Sequence, residues 1–244
     1  MAGDGLMDDR FIEADVKEVF LENESLFPNI GKSTVIYEKA ILRGNTIMDI
    51  MLCTERKGVI GIEIKTERDS TNRLNKQLAD YEKVCDYVYV LCHDSHVNEV
   101  EKILKRHNHA HVGIIAYIRL KDKPFLGIYR VAQISPYKNV YHTLDILWKK
   151  EIQTLLGTFA HYGRRITEAE GLKSQNYKSR GQGFGETYVM PTHSAKMRKS
   201  TLVNELINRL GADEANKVFC HIFINNEGAP EKSIKLHHFK LDKR

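Results

Sequence analysis

Two acids and a lysine lie on neighbouring stretches of the chain, at a spacing that suits cleavage of a phosphodiester bond. Asp49 falls in one strand-like segment, and Glu63 and Lys65 fall in the next. Because side chains alternate faces along a strand, Glu63 and Lys65 share one face and Ile64 points to the other. The carboxylates are ligands for a hard divalent cation, and the lysine supplies a positive charge beside the phosphate. Burial of such charges is costly unless they pair or bind something.

These residues must be positioned by an alternation of helices and strands. Hydrophobic periodicity predicts helices at 11–24, 73–84, 97–107, 143–159, 200–210 and 212–223. It predicts strands at 33–42, 47–53, 59–65, 87–92, 112–118 and 125–134. The first three strands follow one another through short polar links, which is typical of a meander. The later strands alternate with helices, so the order indicates an α/β fold with a mixed central sheet flanked by helices.

The chain at this point resembles the PD-(D/E)XK, restriction-endonuclease-like nuclease superfamily. In that family an Asp is followed, after a variable gap, by Glu-x-Lys on the adjacent strand and often by a Gln on the next helix. Asp49 matches the first acid, Glu63-Ile64-Lys65 matches the second element, and Gln77 matches the helix residue. A narrower likeness to a little-characterised bacterial and phage branch covers roughly residues 11–160.

Two departures from that pattern affect detail more than chemistry. The narrower branch tends to carry a basic residue two positions before the first acid, where this chain has Ile47. The leading Pro-Asp of the superfamily is here Met48-Asp49. Neither departure removes a ligand.

The resemblance implies roles for the matched residues. Asp49 and Glu63 would bind Mg2+ or Mn2+, with help from the main-chain carbonyl of Ile64. Lys65 would orient or help deprotonate the attacking water, or stabilise the transition state; the sequence does not separate these roles. Gln77 would position the water or contact the phosphate. The expected activity is therefore a metal-dependent deoxyribonuclease, more specifically an endonuclease, with DNA as the partner.

Several further positions have both a functional and a structural interpretation. Glu38 or Glu18 could supply the early acid of the family, although Glu18 also fits a solvated helix position. Arg68 and Arg73 could contact the DNA backbone, although a charged loop is usually only a solvated loop. Tyr81 lies one turn after Gln77 and is expected to pack behind it.

Cysteine and histidine patterns add no second site. The four cysteines form no Cys-x-x-Cys pair and lie in apolar segments, so buried, reduced thiols are expected. His107, His109 and His111 alternate at the end of a predicted helix, where we expect a polar connection to the next strand in preference to a zinc site. No Walker-type phosphate loop is present, so ATP use is not indicated.

Positive charge is unevenly distributed along the 244 residues. The net charge is +5, but residues 161–244 carry 15 Lys and Arg against 9 Asp and Glu, a surplus of +6. We predict a nuclease-like domain over 1–160, a Gly-rich linker or loop over 161–193 and a basic, mainly helical region over 194–244. With no apolar run that suits a membrane and no signal-like start, we expect a cytoplasmic protein, in the host cytoplasm if it is viral.

Two other functions compete with a deoxyribonuclease. A non-catalytic nucleic-acid-binding or assembly module could keep the fold, for example as a phage or defence-system component. An RNA-directed nuclease ranks lower, because no RNA-binding fingerprint is recognisable. The resemblance also admits a homodimer, since many enzymes of this type pair to cut both strands. Strand preference, recognition sequence and endo or exo action are not encoded in any motif.

Overall fold

The structure is a computed structural model that describes residues 11–23, 26–158 and 197–225. Six strands lie within these ranges: β1 Ser33–Ile41, β2 Thr46–Thr54, β3 Gly58–Lys65, β4 Tyr87–His93, β5 Gly113–Leu120 and β6 Lys123–Arg130. The same ranges contain the helices α1 Glu13–Glu22, α2 Leu74–Tyr81, α3 Val97–Arg106, α4 Val140–Leu144, α5 Lys149–Thr158, α6 Lys199–Leu210 and α7 Ala212–Asn225.

The strands form one mixed sheet in the order β1-β2-β3-β4-β5-β6. β1, β2 and β3 form an antiparallel meander, and β5 and β6 form an antiparallel hairpin. β4 runs parallel to both β3 and β5, and the crossovers are provided by α2 and α3. The predicted α/β class with a mixed sheet flanked by helices is therefore confirmed.

One face of the sheet packs against α1 through an apolar cluster. Val16, Val19 and Phe20 of α1 meet Ile62 and Tyr117 and their neighbours on the strands in one buried cluster. The apolar positions of α1 recur at helical spacing, and those of β3 recur at every second residue, so each element contributes one stripe to this cluster; the other face of β3 is buried as well. Alternation in β3 then directs Glu63 and Lys65 to the opposite face, where α2 lies.

Close packing around Gly61 brings α2 against β3 on that opposite face. A Cβ atom at Gly61 would lie 2.7 Å from Sγ of Cys85 and 3.2 Å from Sδ of Met48. No side chain larger than hydrogen fits there without a shift, so glycine allows the end of the α2 segment to approach the strand. Gly61 precedes Glu63 by two residues, and Cys85 follows Tyr81 by one helical turn. This contact therefore lies directly beside the candidate site.

Two elements differ most from their predicted bounds, and the others differ by one to three residues at an end. The helix predicted over 143–159 is two helices, α4 and α5, because the main-chain N–H of Trp148 donates to the Glu151 carboxylate at 2.5 Å and caps a new helix start. The strand predicted over 125–134 is β6, Lys123–Arg130. A register shift at Ile114 and Ile115 interrupts the ladder near this end, and beyond β6 the N–H of Gln133 still donates to the His111 carbonyl at 2.8 Å.

The chain divides into two compact units, Met1–Lys138 and Asn139–Arg244. The first holds the sheet with α1, α2 and α3, and the second holds α4 to α7. α6 and α7 give helical structure within the region 194–244, where helices were predicted. Residues 161–193 lie outside the described residues, so the linker and its boundaries stay predictions. Within the described ranges, no helix combines the length and apolarity that crossing a bilayer requires.

Candidate active site

The predicted acids and lysine lie where β2 and β3 separate. The paired register of these strands ends at Ile50 and Ile62, one residue short of Asp49 and Glu63. Past this point the Asp49 side chain replaces a main-chain carbonyl as the acceptor, because its Oδ2 accepts the N–H of Ile64 at 2.8 Å. The end of the ladder thus places two carboxylates side by side near the carboxyl end of β3. The spacing in the sequence predicted this proximity, and the register produces it.

Glu63 is fully buried, and both of its carboxylate oxygens receive hydrogen bonds. Oε1 accepts from Nζ of Lys65 at 2.6 Å, and Oε2 accepts from the hydroxyl of Tyr81 at 2.5 Å. A buried carboxylate with two donors, one of them cationic, is well compensated for the loss of water. Lys65 itself is only 7% exposed, so the pair is sheltered from solvent screening. The predicted Glu-x-Lys element is therefore a buried ion pair and not a solvated surface pair.

Asp49 is held in an environment that opposes its ionisation. Burial, followed by the charge of Glu63, raises the pKa of Asp49 to about 7. The N–H of Ile64 and the ammonium of Lys65 act in the opposite direction but do not offset these effects. Two carboxylates that repel each other in a partly buried corner are the arrangement that an added cation relieves. The electrostatics thus favour binding of positive charge between Asp49 and Glu63.

Tyr81 has a more direct role than the predicted packing behind Gln77. Its hydroxyl donates to Glu63 and also accepts the main-chain N–H of Asp49 at 3.0 Å. Burial and the two nearby carboxylates raise the pKa of Tyr81 well above its usual range, so the hydroxyl stays a neutral donor. One side chain on α2 therefore ties together both acid-bearing strands at the point where their ladder ends.

Asp80, next to Tyr81, anchors the same helix to the beginning of β2. Its carboxylate accepts from Thr46 Oγ1 at 2.6 Å and from Asn45 Nδ2 at 2.9 Å. Burial opposes ionisation of this carboxyl, but the hydrogen bonds from Thr46 and Lys83 hold its pKa below the ordinary value. Neither Asp80 nor the hydrogen-bonding role of Tyr81 is predicted by the sequence pattern. The signal for Tyr81 is a polar group on the apolar face of α2, whereas Asp80 lies off that face and has no such signal.

Gln77 lies one helical turn before Tyr81 on the same side of α2. Its Oε1 atom is buried, and no donor among the described residues reaches it. Buried acceptors in native proteins nearly always have a partner, so an unpaired one a helical turn from Tyr81 is consistent with a site that receives a water or ligand. The backbone N–H of Gln77 donates to the carbonyl of Arg73 in the regular helical pattern.

The early acid predicted at Glu38 or Glu18 has a third candidate, Glu13. The charge of Glu13 contributes to the raised pKa of Asp49, which places its carboxylate near the site. Glu13 also pairs with Lys17 at 2.6 Å, and the same ammonium contacts Glu38 at 3.3 Å. Glu38 is largely exposed and sits at a φ of 51°, whereas Glu18 is exposed on α1. The i, i+4 pairing with Lys17, beside the apolar stripe of α1, is the signal that singles out Glu13.

The two arginines predicted to contact nucleic acid lie on the chain between β3 and α2. Arg68 is exposed in the turn after Lys65, and Arg73 is exposed at the N-cap position of α2. The turn is fixed by Asp69, whose Oδ2 accepts from both the N–H and the hydroxyl of Thr66 at 2.7 Å. Both cations thus lie within the segment that connects Lys65 to Gln77.

The residues fit a small hard cation in part. Oδ1 of Asp49 receives no hydrogen bond from any described residue, and each oxygen of Glu63 keeps a lone pair beyond the bond it accepts. No group of three His, Cys, Asp or Glu side chains suited to a metal ion occurs in the part of the chain that the structure describes. A cation here would therefore depend on two carboxylates together with main-chain and water oxygens, as Mg2+ often does.

The cysteines and histidines have structural surroundings. All four cysteines are buried and unbridged, as predicted. His109 contacts Glu82 through Nδ1 at 2.5 Å and Asn75 through Nε2 at 2.9 Å, so it connects the α2 segment to the chain entering β5. Nε2 of His111 lies 3.1 Å from the same Glu82 carboxylate, and burial lowers the pKa of His111. These histidines lie in the predicted link between α3 and β5, but they are buried and their contacts are to the α2 segment, which the sequence did not indicate.

Comparison with known proteins identifies a family but no activity. No curated protein matches the chain. The family model described as bacteriophage P4 protein cII matches residues 7–184, well over half of the 244 residues and all of the sheet that carries the candidate site. The match suggests a phage-related origin. The chain belongs to the bacteriophage P4 cII protein family.

Proposed function

We propose that this protein is a divalent-metal-dependent nuclease that hydrolyses DNA phosphodiester bonds, built on a restriction-endonuclease-like core. The observation that carries the proposal is the pairing of Asp49 with Glu63 in a partly buried corner, where burial, followed by repulsion from Glu63, raises the pKa of Asp49 to about 7. Lys65 lies against Glu63, and Gln77 holds a buried, unpartnered oxygen one turn from Tyr81. Strongly shifted acids with a cationic partner are typical of functional sites.

The order of elements supports the proposed core. An antiparallel hairpin, β2 and β3, carries the acids, and a crossover helix, α2, leads to a parallel strand. This order agrees with the motif arrangement described for the PD-(D/E)XK superfamily in the sequence analysis. The fold class alone would host many functions, so the proposal depends on the side chains at the hairpin and not on the sheet.

In the proposed reaction, Asp49 and Glu63 hold Mg2+ or Mn2+, and the carbonyl of Ile64 serves as a further oxygen ligand. When bound, the cation lowers the pKa of a water and neutralises negative charge on the phosphate. Lys65 stabilises the charge on the phosphate oxygens or orients the attacking water. The Gln77 amide orients that water through Oε1. The Tyr81 hydroxyl fixes the orientation of Glu63, so it is a positioning residue.

DNA as the substrate is supported by charge and placement. Arg68 and Arg73 project from the segment that joins the reactive strand to α2, where they can meet phosphates beside the scissile bond. Electrostatic contacts of this kind predict binding that weakens as salt rises. Endonuclease action is proposed on the resemblance to the PD-(D/E)XK superfamily alone.

A second function is favoured by one observation. Both oxygens of Glu63 are already bonded to protein donors, Lys65 and Tyr81, so the acid and lysine also have a structural role in the absence of metal. A non-catalytic nucleic-acid-binding or assembly module, for example in a phage or defence system, could keep these residues for stability alone. Such a module binds DNA in a salt-sensitive way and does not cleave it with any divalent cation.

Cleavage of supercoiled plasmid DNA by the purified full-length chain, with Mg2+, with Mn2+ and with EDTA, separates the two functions. The nuclease proposal expects nicking or degradation with metal and none with EDTA. Asp49→Ala and Lys65→Ala should each lower the rate by about 100-fold or more, because removal of one transition-state donor already costs that much. Lys57→Ala, at the other end of the same hairpin, is the matched control and should cleave normally.

Metal-independent cleavage, or full activity in Asp49→Ala, would show that Asp49 and its neighbours are not the active site. Salt-sensitive binding without cleavage in any metal would support the non-catalytic module. A parallel comparison of single-stranded DNA, duplex DNA, branched DNA and RNA under one metal condition identifies the nucleic acid. Faster cleavage of RNA than of every DNA form would overturn DNA as the substrate.

A further inference from the structure

The β5–β6 hairpin carries large apolar side chains that face solvent. Ile118 is 46% exposed, Leu120 is 54% exposed and Phe125 is 58% exposed. Single exposed apolar residues are common on proteins, but a cluster on one surface marks an interaction site. The register pairs Ile118 with Phe125 and Leu120 with Lys123, so all four side chains share one face of the hairpin. We call these four residues the hairpin patch.

The hairpin patch lies on the same face of the sheet as Glu63 and Lys65. Lys65 pairs with Cys92, Cys92 pairs with Ala116, and Ala116 is two residues before Ile118 on β5. Directly paired residues share a face, and every second residue along a strand returns to it. The opposite face is occupied by the α1 cluster, which includes Tyr117 between Ala116 and Ile118.

The hairpin patch also lies at the same end of the strands as the candidate site, namely their carboxyl end. β3, β4 and β5 are parallel, so their carboxyl ends meet at one edge. Ala116 lies level with Lys65 at a distance of two strand spacings, about 10 Å. β5 continues four residues past Ala116, which raises the hairpin by about 13 Å beyond that level. One strand of nucleic acid at Lys65 can therefore reach the hairpin.

Charge and shape select the occupant of the patch. Lys121 and Lys123 at the hairpin tip make no ion pair with any residue that the structure describes, so their charges face solvent. Beside Phe125 on β6, a Cβ atom at Gly127 would meet nothing within 4 Å, which leaves the ring accessible from that side. Lys123 shares the face of Phe125, and the tip, Lys121-Asp122-Lys123, has a net charge of +1. An open aromatic ring beside a basic tip is the combination that holds unpaired bases and their phosphates.

We propose that the β5–β6 hairpin binds a single-stranded DNA segment next to the cleaved phosphate, with a base stacked on Phe125 and phosphates held by Lys121 and Lys123. An unpaired strand is favoured over a duplex, because base faces are accessible only where bases are unpaired. The inference rests on the proposed nuclease function for its orientation. The stacking surface itself depends only on the hairpin.

Fluorescence anisotropy with the full-length protein in EDTA tests the patch, because binding is then measured without cleavage. The probes are a labelled oligo-dT strand and a duplex of the same length. Phe125→Ala should raise the Kd for oligo-dT by about tenfold, within the range for loss of one stacked base, whereas Phe125→Trp should keep it. Ile134→Ala, at an exposed apolar residue outside the hairpin, is the matched control and should bind normally.

The lysines are tested by the salt dependence of the same binding. The double variant Lys121→Ala, Lys123→Ala should weaken binding and reduce the slope of log K against log salt by about 1.4, since each single-strand phosphate contact contributes about 0.7. Equal affinity of wild type and Phe125→Ala would overturn the inference, as would equal loss on oligo-dT and duplex. Conversion of a dimer to a monomer by Phe125→Ala would instead make the patch an interface between two copies.

The outcomes distinguish this inference from the nuclease proposal. If Phe125→Ala binds oligo-dT as the wild type does and still cleaves with metal, the hairpin inference is wrong and the nuclease proposal stands. If Phe125→Ala loses oligo-dT binding and the wild type does not cleave with any metal, the hairpin inference stands and the nuclease proposal is wrong. Absence of oligo-dT binding by the wild type overturns the hairpin inference whatever the cleavage result.

Discussion

The hydroxyl of Tyr81 lies 2.5 Å from Oε2 of Glu63, and this bond connects helix α2 to the acid at the centre of the candidate site. The same hydroxyl accepts the N–H of Asp49 at 3.0 Å, so it contacts both strands where they separate. A single phenol therefore couples the position of a helix to the geometry of two carboxylates. The relationship makes Tyr81 a sensitive probe of the site.

Tyr81→Phe should lower both stability and cleavage. Removal of the hydroxyl leaves Glu63 Oε2 and the Asp49 N–H without a partner, which should cost about 1 to 3 kcal/mol of the free energy of unfolding. Chemical denaturation measures this cost, and the plasmid assay measures the loss of activity, expected at about tenfold. Tyr89→Phe is the matched control, since it removes a buried hydroxyl that accepts from Ala132 on the other face of the sheet. Tyr89→Phe should lose stability and keep its cleavage rate. Equal cleavage by the two variants would contradict a positioning role for Tyr81.

Asp49→Asn should stabilise the metal-free protein at neutral and alkaline pH. The folded pKa of Asp49 is about 7, against an ordinary value of 3.8, so between these values the folded state binds a proton that the unfolded state releases. The contribution of Asp49 to stability therefore falls as pH rises from about 4 to about 7 and then levels off. An asparagine carries no charge and loses nothing over this window, while its amide oxygen can still accept from Ile64.

The difference should reach about 2 kcal/mol at pH 8, after allowance for the partial exposure of Asp49, and should vanish near pH 4. Urea unfolding in EDTA at a series of pH values measures it. Asp122→Asn, in the exposed turn between β5 and β6, is the control and should follow the wild type at every pH. A constant difference between Asp49→Asn and wild type across pH would show that Asp49 titrates normally.

Gln77→Met should lower cleavage without lowering stability. The Oε1 atom of Gln77 is buried and has no donor among the described residues, so its replacement by an apolar side chain of similar length removes an unsatisfied group. The free energy of unfolding should stay level or rise by about 1 kcal/mol. Lys76→Met, at the exposed neighbouring position, controls for the change in helix composition. A stability loss in Gln77→Met with normal cleavage would assign the residue to packing alone.

Glu13→Gln should shift the pH profile of cleavage towards lower pH. The negative charge of Glu13 is one cause of the raised pKa of Asp49, so its removal lets Asp49 ionise more easily. An ionised Asp49 is the form that binds a cation, and the acid limb of the rate profile should follow its pKa. Glu18→Gln on the same helix is the matched control and should leave the profile unchanged. A shift of equal size in both variants would indicate a general charge effect and not a specific one.

The sequence alone determined the class of fold and the location of the candidate site. Alternating apolar residues in β3 fixed which face carries Glu63 and Lys65, because the side-chain period of a strand is a geometric constant. Helical periodicity and short polar links predicted the meander and the crossover helices for the same reason. Boundaries were less accurate, as in the helix that breaks before α5, where one side-chain cap outweighs a continuous apolar pattern.

Tertiary structure decided how the site is held and what surrounds it. The bond from Tyr81 to Glu63, the anchoring of Asp80 at Thr46 and the charge of Glu13 beside Asp49 all join residues that are distant along the chain. The position of the β5–β6 hairpin at the edge that carries Lys65 follows from three strand registers in succession. Such contacts depend on packing between elements, and no local pattern records them. The chain therefore encodes its candidate ligands locally, whereas their pKa values and supporting contacts depend on the assembled sheet and helix.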